Sequence, residues 1–161
     1  MNRWACGRWR LFPLAVCAAQ APLAAHADTD ACTLITASQV SAAVHVTVGD
    51  GTHVVSTFVK TCTWTPTVSS NIKAVTVNVQ TASYYDGAKK MAMQTAAAMP
   101  NAKVNPVSVG DEGYYLVEGE MPSLFFKKGS ASAKVAVYAK MPVNEIEAME
   151  FAIAKQVSAK L

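Results

Sequence analysis

Lys73-Ala-Val-Thr-Val-Asn-Val-Gln-Thr81 is the stretch on which the fold turns. Val75, Val77 and Val79 alternate with Thr76, Asn78 and Gln80, a period of two that lays one side of a sheet strand on a core. The chain then changes period. Ser83-Tyr-Tyr-Asp86 reads as an N-cap with an acid three residues on, and the segment to Met99 is rich in alanine, lysine and methionine, good helix formers. Gly87 weakens the first turn of that helix, and Pro100 stops it.

Upstream, Thr36-Ala-Ser-Gln39 is a capping box with Ile35 placed for a hydrophobic staple. Val40, Ala43 and Val44 fall on one side of the short helix that follows, which ends near His45. Gly49-Asp50-Gly51 predicts a turn between Val46–Val48 and Thr52–Phe58. A strand from about Val54 runs through Phe58, Lys60, Cys62 and Trp64 to Pro66. Downstream, three strands are expected over Tyr114–Glu118, Leu124–Lys128 and Lys134–Ala139, with turns at Gly119 and Gly129. Asn144-Glu-Ile-Glu147 predicts the start of a last helix with an apolar stripe of Ile146, Met149, Ile153 and Val157. The order α-β-β-α-β-β-β-α implies an α+β fold, a mostly antiparallel sheet covered by helices.

Residues 1–27 read as a signal peptide. Arg3, Arg8 and Arg10 precede an apolar run from Leu11 to Ala19, and Ala25-His26-Ala27 offers small residues for cleavage before Asp28. That leaves one exported domain over 28–161, periplasmic or secreted. The formal charge of +3 belongs to the leader, since all three arginines lie there and 11 lysines face 11 acidic residues afterwards. Neither a nucleic-acid footprint nor an arginine clamp is present. The run Leu11–Ala19 is too short to span a bilayer, and nothing later is longer. Val16 ahead of Cys17 argues against lipidation at that cysteine. Cys32 and Cys62 remain after cleavage, and an even pair in an exported chain reads as one disulfide. Two buried thiols or a redox pair are the alternatives.

His45 and His53 are the only histidines after the leader, and a hairpin turning at Asp50-Gly51 would bring them together beside Asp50. Two imidazoles and a carboxylate suit zinc or copper, although the spacing is no known signature. Gly-x-Ser-x-Gly is absent, and no serine is marked as a nucleophile. Asp111-Glu112 between glycines is the most distinctive carboxylate pair; it either holds a turn or receives a cation or basic partner. Tyr84-Tyr85, Tyr114-Tyr115 and Phe125-Phe126 would each send one ring inward and one outward, so Tyr85 and Tyr115, with Asp111 and Glu112, are the candidate binding residues. Lys127-Lys128 reads as a solvated strand edge.

Ala31-Cys-Thr-Leu-Ile-Thr-Ala-Ser-Gln-Val40, Cys62-Thr-Trp64, Val109-Gly-Asp-Glu-Gly-Tyr-Tyr115 and Phe126-Lys-Lys-Gly129 carry, in that order, a resemblance that spans nearly all of 28–161. The chain resembles a family of small exported bacterial domains of unknown function, which includes mycobacterial-type envelope lipoproteins and is similar in fold to the PsbP proteins. The resemblance implies an α/β/α sandwich, a bridge from Cys32 to Cys62 and a role in the cell envelope. It implies no catalytic residue, and no cofactor is expected. The function expected is therefore non-enzymatic, binding an envelope protein or a small ligand or serving as an accessory domain. The alternative is a metal-binding protein or enzyme using His45, His53 and Asp50.

Overall fold

A computed structural model describes residues 29–55 and 60–161. The signal-peptide reading of 1–27 lies outside the described residues. Among them are α1 (Ala37–Val44), β1 (Thr61–Trp64), β2 (Ile72–Thr81), α2 (Ala82–Ala98), β3 (Ala102–Val107), β4 (Glu112–Glu118), β5 (Met121–Lys128), β6 (Ala131–Ala139) and α3 (Val143–Ser158). A 3-10 turn, Ala31–Thr33, precedes α1. The six strands form one sheet in the order β1-β2-β6-β5-β4-β3, and every neighbouring pair is antiparallel.

The alternation in β2 decides what lies on each side. Val75, Val77 and Val79 join Tyr115, Leu124, Phe126 and Val135 in the larger core, closed by α1 and by Ile146, Ile153 and Val157 of α3. Tyr114 and Phe125, one residue out of phase, point to the other face, where Tyr85 and Ala92 of α2 cover them. Tyr114 stacks on Phe125 with ring centroids 5.0 Å apart, and Tyr85 lies 5.4 Å away at a tilt. The adjacent aromatic pairs thus do split between faces. Both faces are roofed, however, so Tyr85, Tyr114, Tyr115, Phe125 and Phe126 are all buried and form no open aromatic surface.

The capping box forms as expected: the Thr36 side chain accepts from the Gln39 N–H and the Gln39 side chain accepts from the Thr36 N–H. His45 ends α1 in the left-handed region at φ 56°. The other two helices start two residues earlier than expected. Thr81 and Pro142 are the N-caps, neither with a side-chain cap bond, and the backbone N–H of Ala82 donates to Ser130 O instead.

Three expectations are corrected. The hairpin across Gly49-Asp50-Gly51 does not form. Val48 bridges Pro66 and Thr52 bridges Thr63, so the whole stretch from Thr47 to Thr52 runs antiparallel along β1. Val54 and Val55 lie in a bend, and the rest of the expected strand start, 56–59, is outside the described residues. An unforeseen strand, β3, occupies the edge beside β4; Pro106 disguises it, since proline cannot donate to a ladder but is tolerated at an edge. Lys127 and Lys128 belong to β5, an interior strand, and their charges pair with Asp86, Glu112 and Asp111 rather than guarding an edge.

Gly51 is what lets the Thr47–Thr52 segment lie against β1. A Cβ there would come 2.5 Å from Cys62 Sγ and 2.7 Å from Trp64 Nε1, both on buried side chains. Gly51→Ala is expected to lose about 2 kcal/mol of stability through this overpacking, read from urea unfolding curves. An unchanged midpoint would mean that the segment does not pack this closely.

Candidate functional site

The described residues offer two places with chemistry, and neither coincides with the set expected from sequence. The first surrounds the disulfide between Cys32 and Cys62, whose Cα atoms lie 5.0 Å apart. Asp30 caps the 3-10 turn, its Oδ1 accepting from the Cys32 N–H at 2.8 Å. His53 arrives on the segment that follows Gly51. Its Nε2 lies 3.3 Å from the Asp30 carboxylate, and its Nδ1 lies 3.0 Å from Thr61 O and 3.7 Å from Cys32 Sγ. Asp30, Cys32 and His53 therefore form a cluster of metal-ligating residue types with one donor atom from each within 4.8 Å of the others, the Cys32 sulfur being engaged in the bridge.

His45 and Asp50 are not in that group. His45, exposed at the end of α1, faces a depression between α1 and α3 lined by Ala42, Glu145 and Met149. Asp50 is exposed on the segment beside β1. Their separation from His53 follows from the missing hairpin: with no reversal at Asp50, the chain carries His53 onward to the disulfide. Asp30 takes the role of the carboxylate, and nothing in its sequence setting marks it except its place two residues before Cys32.

Asp111 and Glu112 hold structure. Asp111 accepts from the Gly129 N–H at 2.7 Å and pairs with Lys128 at 3.0 Å; the two contacts, backbone first, hold its carboxyl below the ordinary range. Glu112 joins Lys89 of α2 and Lys127 of β5, which lower its pKa in the same order. These pairs tie α2 to the end of β4 and β5. Tyr115 Oη donates to Glu147 O at 2.6 Å, locking β4 to α3, and burial foremost pushes its phenol above the ordinary range.

The second place is a parting in the sheet. β5 pairs with β4 along its whole length, and β6 pairs with β2 out to Ile72–Ala139. Yet β5 and β6 pair with each other only over Leu124–Lys128 and Ala131–Val135. Continuing that register would set Pro122 opposite Val137, where proline has no N–H to give to the Val137 carbonyl, and the ladder stops short of this pair. The Val137 N–H turns instead to Glu150 of α3, which accepts through Oε1 at 2.9 Å. Glu150 is completely buried (0% exposed), and its Oε2 has no partner. Burial pushes its pKa up to about 8, against the opposing pull of the Val137 N–H.

Where the strands part, a groove of about 410 Å³ opens, within the range of small-ligand sites. Met121, Pro122, Ala136, Val137 and Tyr138 supply its apolar lining, with Ile146 from α3. Lys73, Lys134 and Lys140 stand around it on one side of the gap, and Glu118 and Glu120 on the β4–β5 side. Met121 and Tyr138 are exposed, at 66% and 47%. None of the five ion pairs among the described residues uses these three lysines.

No protein-family model, curated protein or solved structure matches the chain. The class that the described residues define is thus an α+β domain with an antiparallel six-stranded sheet flanked by three helices and bridged by the Cys32–Cys62 disulfide. No helix among the described residues is long and apolar enough to cross a membrane.

Proposed function

We infer that the chain is a non-enzymatic binding domain of the extracytoplasmic cell envelope, and that its ligand occupies the groove between β5 and β6. The observation that carries this reading is the parting itself. A sheet that opens at Pro122 exposes apolar side chains inside a rim where Lys73, Lys134 and Lys140 face Glu118 and Glu120 across the gap, none of the three lysines held in one of the ion pairs among the described residues. Such a site suits a small amphiphilic anion, its apolar body along Met121, Ala136 and Tyr138 and its charged head at Lys134 or Lys140. The disulfide supports an oxidising compartment. Helices on both faces of the sheet and the Cys32–Cys62 bridge support kinship with the small exported, PsbP-like bacterial domains.

Dodecanoate is a suitable probe. Calorimetric titration of the oxidised protein is expected to give saturable one-to-one binding. Ser123→Trp, a half-buried position in the lining, should abolish it by filling the groove. Removing two cationic contacts with Lys134→Ala and Lys140→Ala should weaken it about tenfold, since two such pairs together are worth about 1.4 kcal/mol. Absence of saturable heat, or undiminished binding by the folded Ser123→Trp variant, would refute the groove as the binding site.

A further inference from the structure

The cluster at the disulfide has a property that the oxidised state conceals. A bridged sulfur carries no charge and is a poor ligand, so only the His53 imidazole and the Asp30 carboxylate are available while Cys32 and Cys62 are joined. We propose that reduction of this bridge turns the corner into a zinc site with four protein ligands, Asp30, Cys32, His53 and Cys62.

Three observations carry it. The donor atoms of Asp30, Cys32 and His53 already lie within 4.8 Å of one another, and Cys62 Sγ stands one bond beyond that group, on Cys32 Sγ. The histidine is oriented as a ligand. Thr61 O can only accept, so Nδ1, 3.0 Å from it and 3.7 Å from Cys32 Sγ, carries a proton to donate there and leaves Nε2 facing the Asp30 carboxylate at 3.3 Å. Two acceptors at that separation call for a proton or a cation between them. A backbone carbonyl holding the far nitrogen is the usual support of a zinc-bound imidazole. Finally, the site is open on one side: the His53 and Asp30 side chains are 20% and 36% exposed, and Cys32 is partly exposed while Cys62 is buried.

The chemistry balances with a dithiol as reductant. Its thiolate attacks Cys32 Sγ, the accessible sulfur, and the S–S bond breaks to release the Cys62 thiolate. The reductant's second thiol then attacks its own sulfur in the mixed disulfide, frees Cys32 and leaves as a cyclic disulfide. Two electrons pass to the protein; zinc binds both thiolates, and the two protons from the dithiol go to solvent. The sulfurs must part to about 3.8 Å around a tetrahedral ion with Zn–S near 2.3 Å. Cys32 rides on a three-residue 3-10 turn and Cys62 on a sheet strand, so the shift falls on the turn. Two thiolates select zinc over the hard cations calcium and magnesium.

The test measures zinc binding by competition with a chromophoric indicator, on the protein before and after reduction by a phosphine. One equivalent is expected to bind after reduction, at least about a thousandfold more tightly than to the oxidised form. Cobalt in its place should give the visible absorption of a tetrahedral site with sulfur charge-transfer bands. His53→Ala and Asp30→Ala should each weaken zinc binding by about tenfold or more. If reduction alone unfolds the chain, zinc should restore its near-ultraviolet circular dichroism. Equal affinity before and after reduction, equal affinity in His53→Ala, or a reduced chain that neither binds zinc nor refolds with it would each overturn the proposal. Dodecanoate binding by the oxidised protein is independent of every one of these results.

Discussion

Replacing both Cys32 and Cys62 with alanine is expected to lower the free energy of unfolding by about 3.5 kcal/mol. The bridge closes a loop with a sequence separation of 30, and closing a loop of that size removes about this much entropy from the unfolded chain. The folded state depends on it for a particular reason. Residues 29–35 make no strand pairing of their own, and β1 pairs as a strand only with β2, so the bridge fixes this segment to the sheet's edge. Ala31, Leu34 and Ile35 are buried there and would lose their anchor. Urea unfolding of the double variant beside the oxidised parent reads the difference directly. A loss under about 1 kcal/mol would mean that burial of Leu34 and Ile35 alone holds this end in place.

Stability should also fall as pH rises from about 4.5 to about 8, and Glu150→Gln should remove that slope. In the folded state burial holds the Glu150 carboxyl protonated up to about pH 8, whereas in the unfolded chain it ionises at its ordinary value of 4.5. Between those values the native state binds a proton that the unfolded state has released, so stability declines with pH. The contribution is complete below pH 4.5 and lost once pH passes about 8. Each pKa unit of such a shift corresponds to about 1.4 kcal/mol, so the span across the window is several kcal/mol. Asp111 and Glu112, held below their ordinary range, act at lower pH and with the opposite sign, so they leave this window clear. Glutamine keeps an acceptor for the Val137 N–H but cannot ionise. Denaturant midpoints at pH 5, 7 and 9 should slope for the parent and stay level for Glu150→Gln, with the variant ahead by about 2 kcal/mol or more at pH 9. Parallel profiles would mean that Glu150 is ionised and solvated in the folded protein.

What could be read in the residues was the part governed by local pattern. The valine alternation of β2, the Thr36–Gln39 box, the alanine-rich α2 and the apolar stripe of α3 each depend on neighbours a few positions away, and each forms. The cysteine pairing was legible too, because Cys32 and Cys62 are the two cysteines after residue 27. What escaped depends on distant partners. Gly49-Asp50-Gly51 carries the composition of a turn, but the glycines serve a close approach to Cys62 and Trp64. That one difference sends His53 to Asp30 instead of His45. Pro106 hid an edge strand. Glu150 carries no local signal, since its partner, the Val137 N–H, is left without a strand neighbour only where β5 and β6 part. The interior proline at position 122 was the available signal for the parting of the sheet, as proline interrupts the ladder it faces.

The groove is tested most directly by a titration of isotopically labelled oxidised protein with dodecanoate, followed by amide chemical shifts. Shifts that saturate together and concentrate at 121, 123 and 136–140, with 61–64 unmoved, are the predicted result. Saturating shifts that bypass the parting of β5 and β6, or no saturating shifts at any position, would contradict the assignment of ligand binding to this groove.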